Sequence, residues 1–350
     1  MENAICTSDA IYNSLQGLKL NKQDILMLLS AAAGDETERL FTAANQVRDA
    51  CAGSDVLLRG ILEISNICER NCLYCGLRKD NGKIIRYRMQ DDEITASARQ
   101  IRAAGVGTMV LQSGEDSFLT AAKVCRLIEI IKKETALTIT LSLGERPYQD
   151  YKAFKEAGAD RYLLKHETAD PDLYRRLRPG SHLEDRLQSI RRLKELGFET
   201  GTGNMVGLPG QTVASLAEDI IIMKEYGADM IGIGPFIAHP DTPLGHFPSG
   251  DPELVFKVLA VARLVTRTTN IPATTALGTI DPRHRIKALM VGANVVMPDF
   301  TPDRYKKHYD IYPGKSRTEY TAARFLEQLA RDITPLDRRL GINLYEKQYL

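Results

Sequence analysis

From Val56 onward, short apolar runs alternate with amphipathic stretches, and each change of period marks a new element. Strands are predicted to begin near Val56, Gly107, Leu137, Asp160, Glu199, Asp229, Asn270 and Ala293, eight in all. Helix-period stretches lie between them, over Asp91 to Ala104, Ser117 to Glu134, Pro147 to Ala157, Leu183 to Leu196, Thr212 to Tyr226, Pro252 to Thr268 and Pro282 to Val291. Gly105, Gly158, Gly197, Gly227 and Gly292 stand where a helix hands over to a strand, and glycine accepts the left-handed backbone of a helix C-terminus. Eight βα units with one recurring joint favour an α/β fold of the (β/α)8, TIM-barrel type over an open doubly wound sheet. No G-x-G-x-x-G opens the first unit.

Ahead of the barrel, Ile25, Leu28, Leu29, Leu40, Ala43 and Val47 recur at helical spacing between Leu20 and Ala52. Residues 1–52 therefore read as an N-terminal helical flank, residues 53–316 as the barrel, and the charged, helix-prone residues 317–350 as a C-terminal helical extension packed outside it.

The strand faces add a functional hint. An interior used only for packing is apolar, yet several strands carry polar residues at every second position. Arg59 and Glu63 share one face, Thr138, Thr140 and Ser142 another, and Arg161, Lys165 and Glu167 a third. Charges inside a barrel need partners or a polar ligand, so the lumen is expected to be wet or ligand-filled. For Arg59 and Glu63 an internal salt bridge is an equal alternative. Glu167 lies at the C-terminal end of its strand, where barrel active sites sit.

Composition narrows the class. A chain of 350 residues, 43% hydrophobic and 26% charged with net charge +1, has no bulk charge to attract nucleic acid or a membrane surface. No basic, apolar leader follows Met1 and no run approaches 18 apolar residues, so the cytoplasm is the expected compartment. Six cysteines, three of them within eight residues, do not form a secreted disulfide framework. Cys6, Cys51 and Cys125 read as small apolar residues and are left out of the site.

Cys68, Cys72 and Cys75 form a C-x3-C-x2-C array in the loop after the first strand, at the catalytic face of a barrel. Structural zinc wants four ligands, and the nearest histidine in sequence is His166. An electron-transfer ferredoxin would use a full cysteine set. A 4Fe–4S cluster on three cysteines instead keeps one iron free to bind something else.

Cys68-Glu69-Arg70-Asn71-Cys72-Leu73-Tyr74-Cys75, with an aromatic before the last cysteine, resembles the signature of the radical S-adenosylmethionine (SAM) superfamily. From Arg59 to Lys315 the chain further resembles the HydE family of [FeFe]-hydrogenase maturases in its biotin synthase-like group. Segments that carry this include Glu63-Ile64-Ser65-Asn66, Val110 through Asp116, Leu141 through Glu145, His166-Glu167-Thr168-Ala169, Met205 through Thr212, His239 through Leu244, Ile271 through Ala276 and Tyr312-Pro313-Gly314-Lys315.

The resemblance implies one 4Fe–4S cluster on Cys68, Cys72 and Cys75 whose free iron chelates the amino and carboxylate groups of SAM. A low-potential electron, from a flavodoxin- or ferredoxin-type donor, would then cleave SAM to methionine and a 5′-deoxyadenosyl radical. It also implies Gln112, Ser113 and Glu115 at the methionyl end, Glu167 at the ribose, Arg186 at the carboxylate, and Tyr74 and Met205 beside the adenine. Arg59, Thr274, Thr275, Met297, Tyr309 and Tyr312 match positions on the substrate side, although the two tyrosines equally fit core aromatics at helical i, i+3 spacing. His239 reads as a loop-shaping or supporting residue, and Gly76, Gly207 and Gly210 as backbone devices.

Two features depart from the family. No cysteine lies between Lys315 and Leu350, so a second cluster is not expected. Lys165 stands where arginine is usual, which keeps the charge without the bidentate fork. The resemblance implies a monomeric enzyme acting on a small thiol- or cysteine-derived, iron-bound substrate during H-cluster assembly, with other hydrogenase maturases as partners. Two readings stay open beside it: a methylornithine synthase-like or biotin synthase-like enzyme on an organic substrate, and an iron–sulfur carrier that does not cleave SAM.

Overall fold

The computed structural model describes residues 7–315 and 321–341, so Cys6 and parts of the flank and extension lie outside it. Among the described residues eight strands occur in order: β1 (Leu57–Leu58), β2 (Gly60–Ser65), β3 (Thr108–Ser113), β4 (Thr138–Ser142), β5 (Arg161–Leu163), β6 (Glu199–Val206), β7 (Met230–Pro235) and β8 (Val295–Val296). Strands β2 to β7 form one parallel sheet in sequential order, and β1 pairs with β8 in a second. Sequential parallel order with a helix at each crossover is the arrangement of a TIM-type barrel.

The ring is not closed by continuous ladders. The first predicted strand divides at Arg59, and the strand expected near Asn270 is reduced to isolated bridges, Asn270 with Met230 and Pro272 with Val295. A further bridge, Ile61 with Asp299, ties β2 to the chain beyond β8. Proline explains the reduced pairing near Asn270 and beyond β8, because neither Pro272 nor Pro298 has an N–H to donate to a ladder, whereas at Arg59 the chain switches partner from β8 to β3.

The seven helix-period stretches appear with shifted ends, as in Asp91–Ala103, Ala121–Thr135 and Val213–Glu225. All five predicted joint glycines have positive φ. Three helices lay outside the prediction: Pro171–Leu177, Thr275–Ile280 and Asp303–Lys306; Thr7–Leu15 falls within the predicted flank, ahead of its helical-period stretch. The flank also holds Lys22–Leu29, entered through a reciprocal Asn21–Asp24 capping box, and Asp35–Ala52. Leu40, Ala43, Ala44 and Val47 of Asp35–Ala52 are buried in one core cluster with Val255, Phe256 and Leu259 of the helix Pro252–Thr266. The extension helix Ala322–Ile333 buries Leu329 and Ile333 in the same cluster. A second cluster packs the first half of the barrel against its helices through Ile94, Ile101, Leu127, Ile131 and Phe154. Among the described residues, no helix is long and apolar enough to cross a membrane.

Candidate active site

Strand alternation decides what reaches the lumen. Val110 and Gln112 of β3, Thr140 and Ser142 of β4, and Leu163, Lys165 and Glu167 on and after β5 all line one cavity of about 380 Å³, while Tyr162 and His166 between them are buried outside it. The cavity runs from the cysteine loop down to Arg59.

Cys68, Cys72 and Cys75 all border it. The loop is fixed by Arg86, whose guanidinium donates to the carbonyls of Asn66 and Leu77 at 2.7 and 2.9 Å and of Arg78 and Asn81 at 2.8 and 3.2 Å. Gly76 is required by close approach, since a Cβ there would meet the Asp310 carbonyl at 2.0 Å and the His239 ring at 2.6 Å. His239 itself is buried, accepts the Asp241 N–H at Nδ1 (3.1 Å) and donates through Nε2 to Asp310 (3.1 Å), which makes it a loop-shaping residue.

Burial pushes the Cys68 and Cys75 thiols up, and the neighbouring Cys72 adds to both. The Glu115 N–H points at Cys68 Sγ from 3.4 Å. These residues fit an iron–sulfur cluster: three thiols on one rigid loop face a shared space, and a polar N–H is already aimed at one sulfur. Among the described residues, no group of three or more His, Cys, Asp or Glu is arranged for a single metal ion. A cluster that binds each thiolate through a different iron does not need that convergence.

Beside the loop lies a network of three arginines and two glutamates. Arg70 Nε donates to Glu115 Oε2 at 2.5 Å and its Nη2 to Glu145 Oε2 at 3.1 Å. Arg186 Nε sits 2.8 Å from Glu145 Oε1, and the Arg178 and Arg186 forks approach Glu115 Oε1 at 3.7 and 3.9 Å. Arg178 Nη1 also donates to the Tyr74 hydroxyl at 2.9 Å. Ser113 and Met205 border the cavity, and Gln112 Nε2 donates to the Tyr309 hydroxyl at 3.1 Å. Glu167 stands across from this group with Lys165 Nζ at 3.3 Å.

Deeper in the barrel the pairing differs from expectation. Glu63 does not bridge to Arg59; its carboxylate is taken by Lys315 from the C-terminal end of the barrel chain. Register explains this, because Arg59 lies four residues toward the strand's N-terminal end and contacts the Met230 sulfur. Burial, then the nearby Arg161 charge, pulls the Arg59 guanidinium below its ordinary range. Thr140 Oγ1 and Thr274 Oγ1 are buried there without hydrogen bonds among the described residues. Thr275, Met297, Tyr309 and Tyr312 complete the wall. The two tyrosines are not on a helix, which ends at Lys306; Tyr309 is both a core residue and a lining one.

The cavity thus gathers every predicted site residue. Sequence reasoning missed Arg70, Glu145 and Arg178 as site residues. Arg178 caps the overlooked helix Pro171–Leu177, whose Asp170-Pro171 start is a legible N-cap signal.

A parallel barrel that opens three thiols of one loop onto a polar lumen belongs with the radical SAM enzymes, and residues 62–221 match the Radical SAM superfamily. The chain is 48% identical over 309 residues to the [FeFe] hydrogenase maturase subunit HydE of Thermotoga maritima, covering 88% of each chain. It therefore belongs to the HydE family within that superfamily. It is also 30% identical over 331 residues to 3-methylornithine synthase of Methanosarcina acetivorans, covering 93% of this chain and 90% of the other. Among solved structures, methylornithine synthase (PylB) matches with a TM-score of 0.84 at 25% identity over 97% of this chain and all of that one. The [FeFe]-hydrogenase maturase HydG shares the fold, with a TM-score of 0.79 at 18% identity over 93% of this chain and 74% of the other.

Proposed function

We propose that the chain is a maturase of the [FeFe]-hydrogenase H-cluster that cleaves SAM reductively and acts on a small thiol- or cysteine-derived, iron-bound substrate. Cys68, Cys72 and Cys75 hold one 4Fe–4S cluster, which when bound supplies the electron that splits SAM into methionine and a 5′-deoxyadenosyl radical. Gln112, Ser113 and Glu115 receive the methionyl end. Arg186 offers its fork to the carboxylate, Glu167 accepts from the ribose hydroxyls, and Tyr74 and Met205 flank the adenine. Arg59, Thr274 and Thr275 bind the substrate's anionic side, and Tyr309 and Tyr312 close the wall and exclude water. A flavodoxin- or ferredoxin-type donor supplies the electron, other hydrogenase maturases supply or receive the metal fragment, and the enzyme acts as a monomer.

The observation that carries this reading is the shared cavity: three thiols at one end, a buried guanidinium with no ion pair among the described residues at the other, and an arginine–glutamate network beside the thiols. The test is SAM cleavage. Anaerobically reconstituted, reduced protein given SAM should form 5′-deoxyadenosine, and Cys68→Ala, Cys72→Ala and Cys75→Ala should each abolish it. Undiminished cleavage in any variant overturns the cluster assignment, and no cleavage by the unaltered protein favours an iron–sulfur carrier.

A further inference from the structure

We propose that Asp219, which does not line the cavity, is a positioning residue for Glu167, with His166 as its intermediary; this rests on Glu167 being a SAM ligand. Glu167 has φ +69°, and the Thr168 N–H donates back to the His166 carbonyl at 2.9 Å, closing a three-residue turn on a residue with a full side chain. Such a left-handed γ-turn is rare and strained, and it persists only where its surroundings over-determine it.

Asp219 supplies that over-determination. Alternation along the strand turns His166 away from the lumen and onto the helix Val213–Glu225. There the Asp219 carboxylate accepts three donors: the Ala169 N–H at 2.5 Å, Asn204 Nδ2 at 2.7 Å and His166 Nε2 at 3.2 Å. The Thr202 hydroxyl lies 2.9 Å from His166 Nδ1 and donates to it when Nε2 carries the proton. His166, Asn204 and Asp219 are all fully buried. Opposite, the Glu167 N–H donates to the Gly203 carbonyl at 3.0 Å and its own carbonyl accepts the Met205 N–H at 2.9 Å. The residue before Glu167, the residue two beyond it and the strand beside it thus all converge on one carboxylate. Glu167 is left to project into the cavity, where its buried Oε2 has the Lys165 ammonium 3.3 Å away and no hydrogen bond among the described residues.

The test measures SAM dissociation constants by equilibrium dialysis on the anaerobically reconstituted protein, for Glu167→Ala, Asp219→Ala and the double variant. Each single change should weaken SAM about tenfold or more, and the double variant should bind no more weakly than Glu167→Ala alone, because Asp219 acts through Glu167. Hydrogen exchange should show lost protection at residues 166–169 in Asp219→Ala. The isosteric Asp219→Asn, which sets an amide against one of the three donors, should show an intermediate loss and serves if the alanine variant does not fold. Losses that multiply in the double variant, or unchanged SAM affinity in Asp219→Ala, overturn the proposal. Unchanged affinity in Glu167→Ala instead overturns the ligand role of Glu167, and the inference falls with it.

Discussion

The two ends of the cavity handle charge in opposite ways. Beside the cysteine loop, Arg70, Arg178 and Arg186 share Glu115 and Glu145, so the network holds its shape before any ligand arrives. At the deep end Arg59 is buried against the Met230 sulfur and makes no ion pair among the described residues, with the Arg161 and Glu199 charges acting on it only from beyond ion-pair distance. Paired charges have already met their desolvation cost inside the protein, whereas an unpaired buried guanidinium is stabilised only when a ligand brings the anion. On the proposed function, the mouth is preorganised for a cofactor present in every turnover, and the deep end favours a substrate that carries negative charge.

That contrast can be broken most decisively at Arg59. Arg59→Gln should lower substrate turnover on the order of 100-fold, while 5′-deoxyadenosine formation without substrate stays within about twofold, because the mouth is untouched. Equal loss of both activities would erase the distinction between the two ends. At the mouth, Arg186→Ala should weaken SAM binding roughly 10- to 100-fold and also leave Glu145 without its 2.8 Å partner. An unchanged SAM affinity would show that the network is only structural.

The Glu63–Lys315 pair sharpens the comparison through pH. Burial raises the Glu63 carboxyl from 4.5 to about 8, with Lys315 pulling the other way. The folded chain then binds more protons than the unfolded chain between those values, so this group makes stability fall as pH rises from about 4.5 to about 8, by at most about 1.4 kcal/mol per pH unit. Glu63→Gln should flatten denaturant midpoints across that window, and an unaltered slope would place the titration elsewhere. The smallest effect is expected at the left-handed turn. Glu167→Gly should relieve about 1 kcal/mol of backbone strain and raise the denaturant midpoint, even as SAM binding weakens.

Much of this was legible before any coordinates. The βα count, the glycine joints and the alternation of Thr140 with Ser142 and Lys165 with Glu167 are local signals, and they correctly turned those side chains inward. The cysteine loop needed only its spacing and its place after a strand. Ion-pair partners were not legible, because they join residues far apart in sequence: Glu63 meets Lys315, not Arg59, through a chain segment that returns 252 residues later. Arg178 was hidden because its helix is only seven residues long and occupies a βα loop. The seventh strand failed because prolines interrupt the ladders that would define it.

The contacts that cover the cysteine loop also have a timetable. The Gly76 N–H donates to the Ile311 carbonyl at 3.0 Å, Asn66 Nδ2 to the His308 carbonyl at 2.7 Å, and Lys315 closes on Glu63. The covering segment leaves the ribosome long after the thiols do; at about 5–20 residues per second the delay is roughly 10–50 s. During that interval the cysteine loop lacks its cover, which the last part of the barrel to be synthesised supplies, while the thiols keep their face on the cavity.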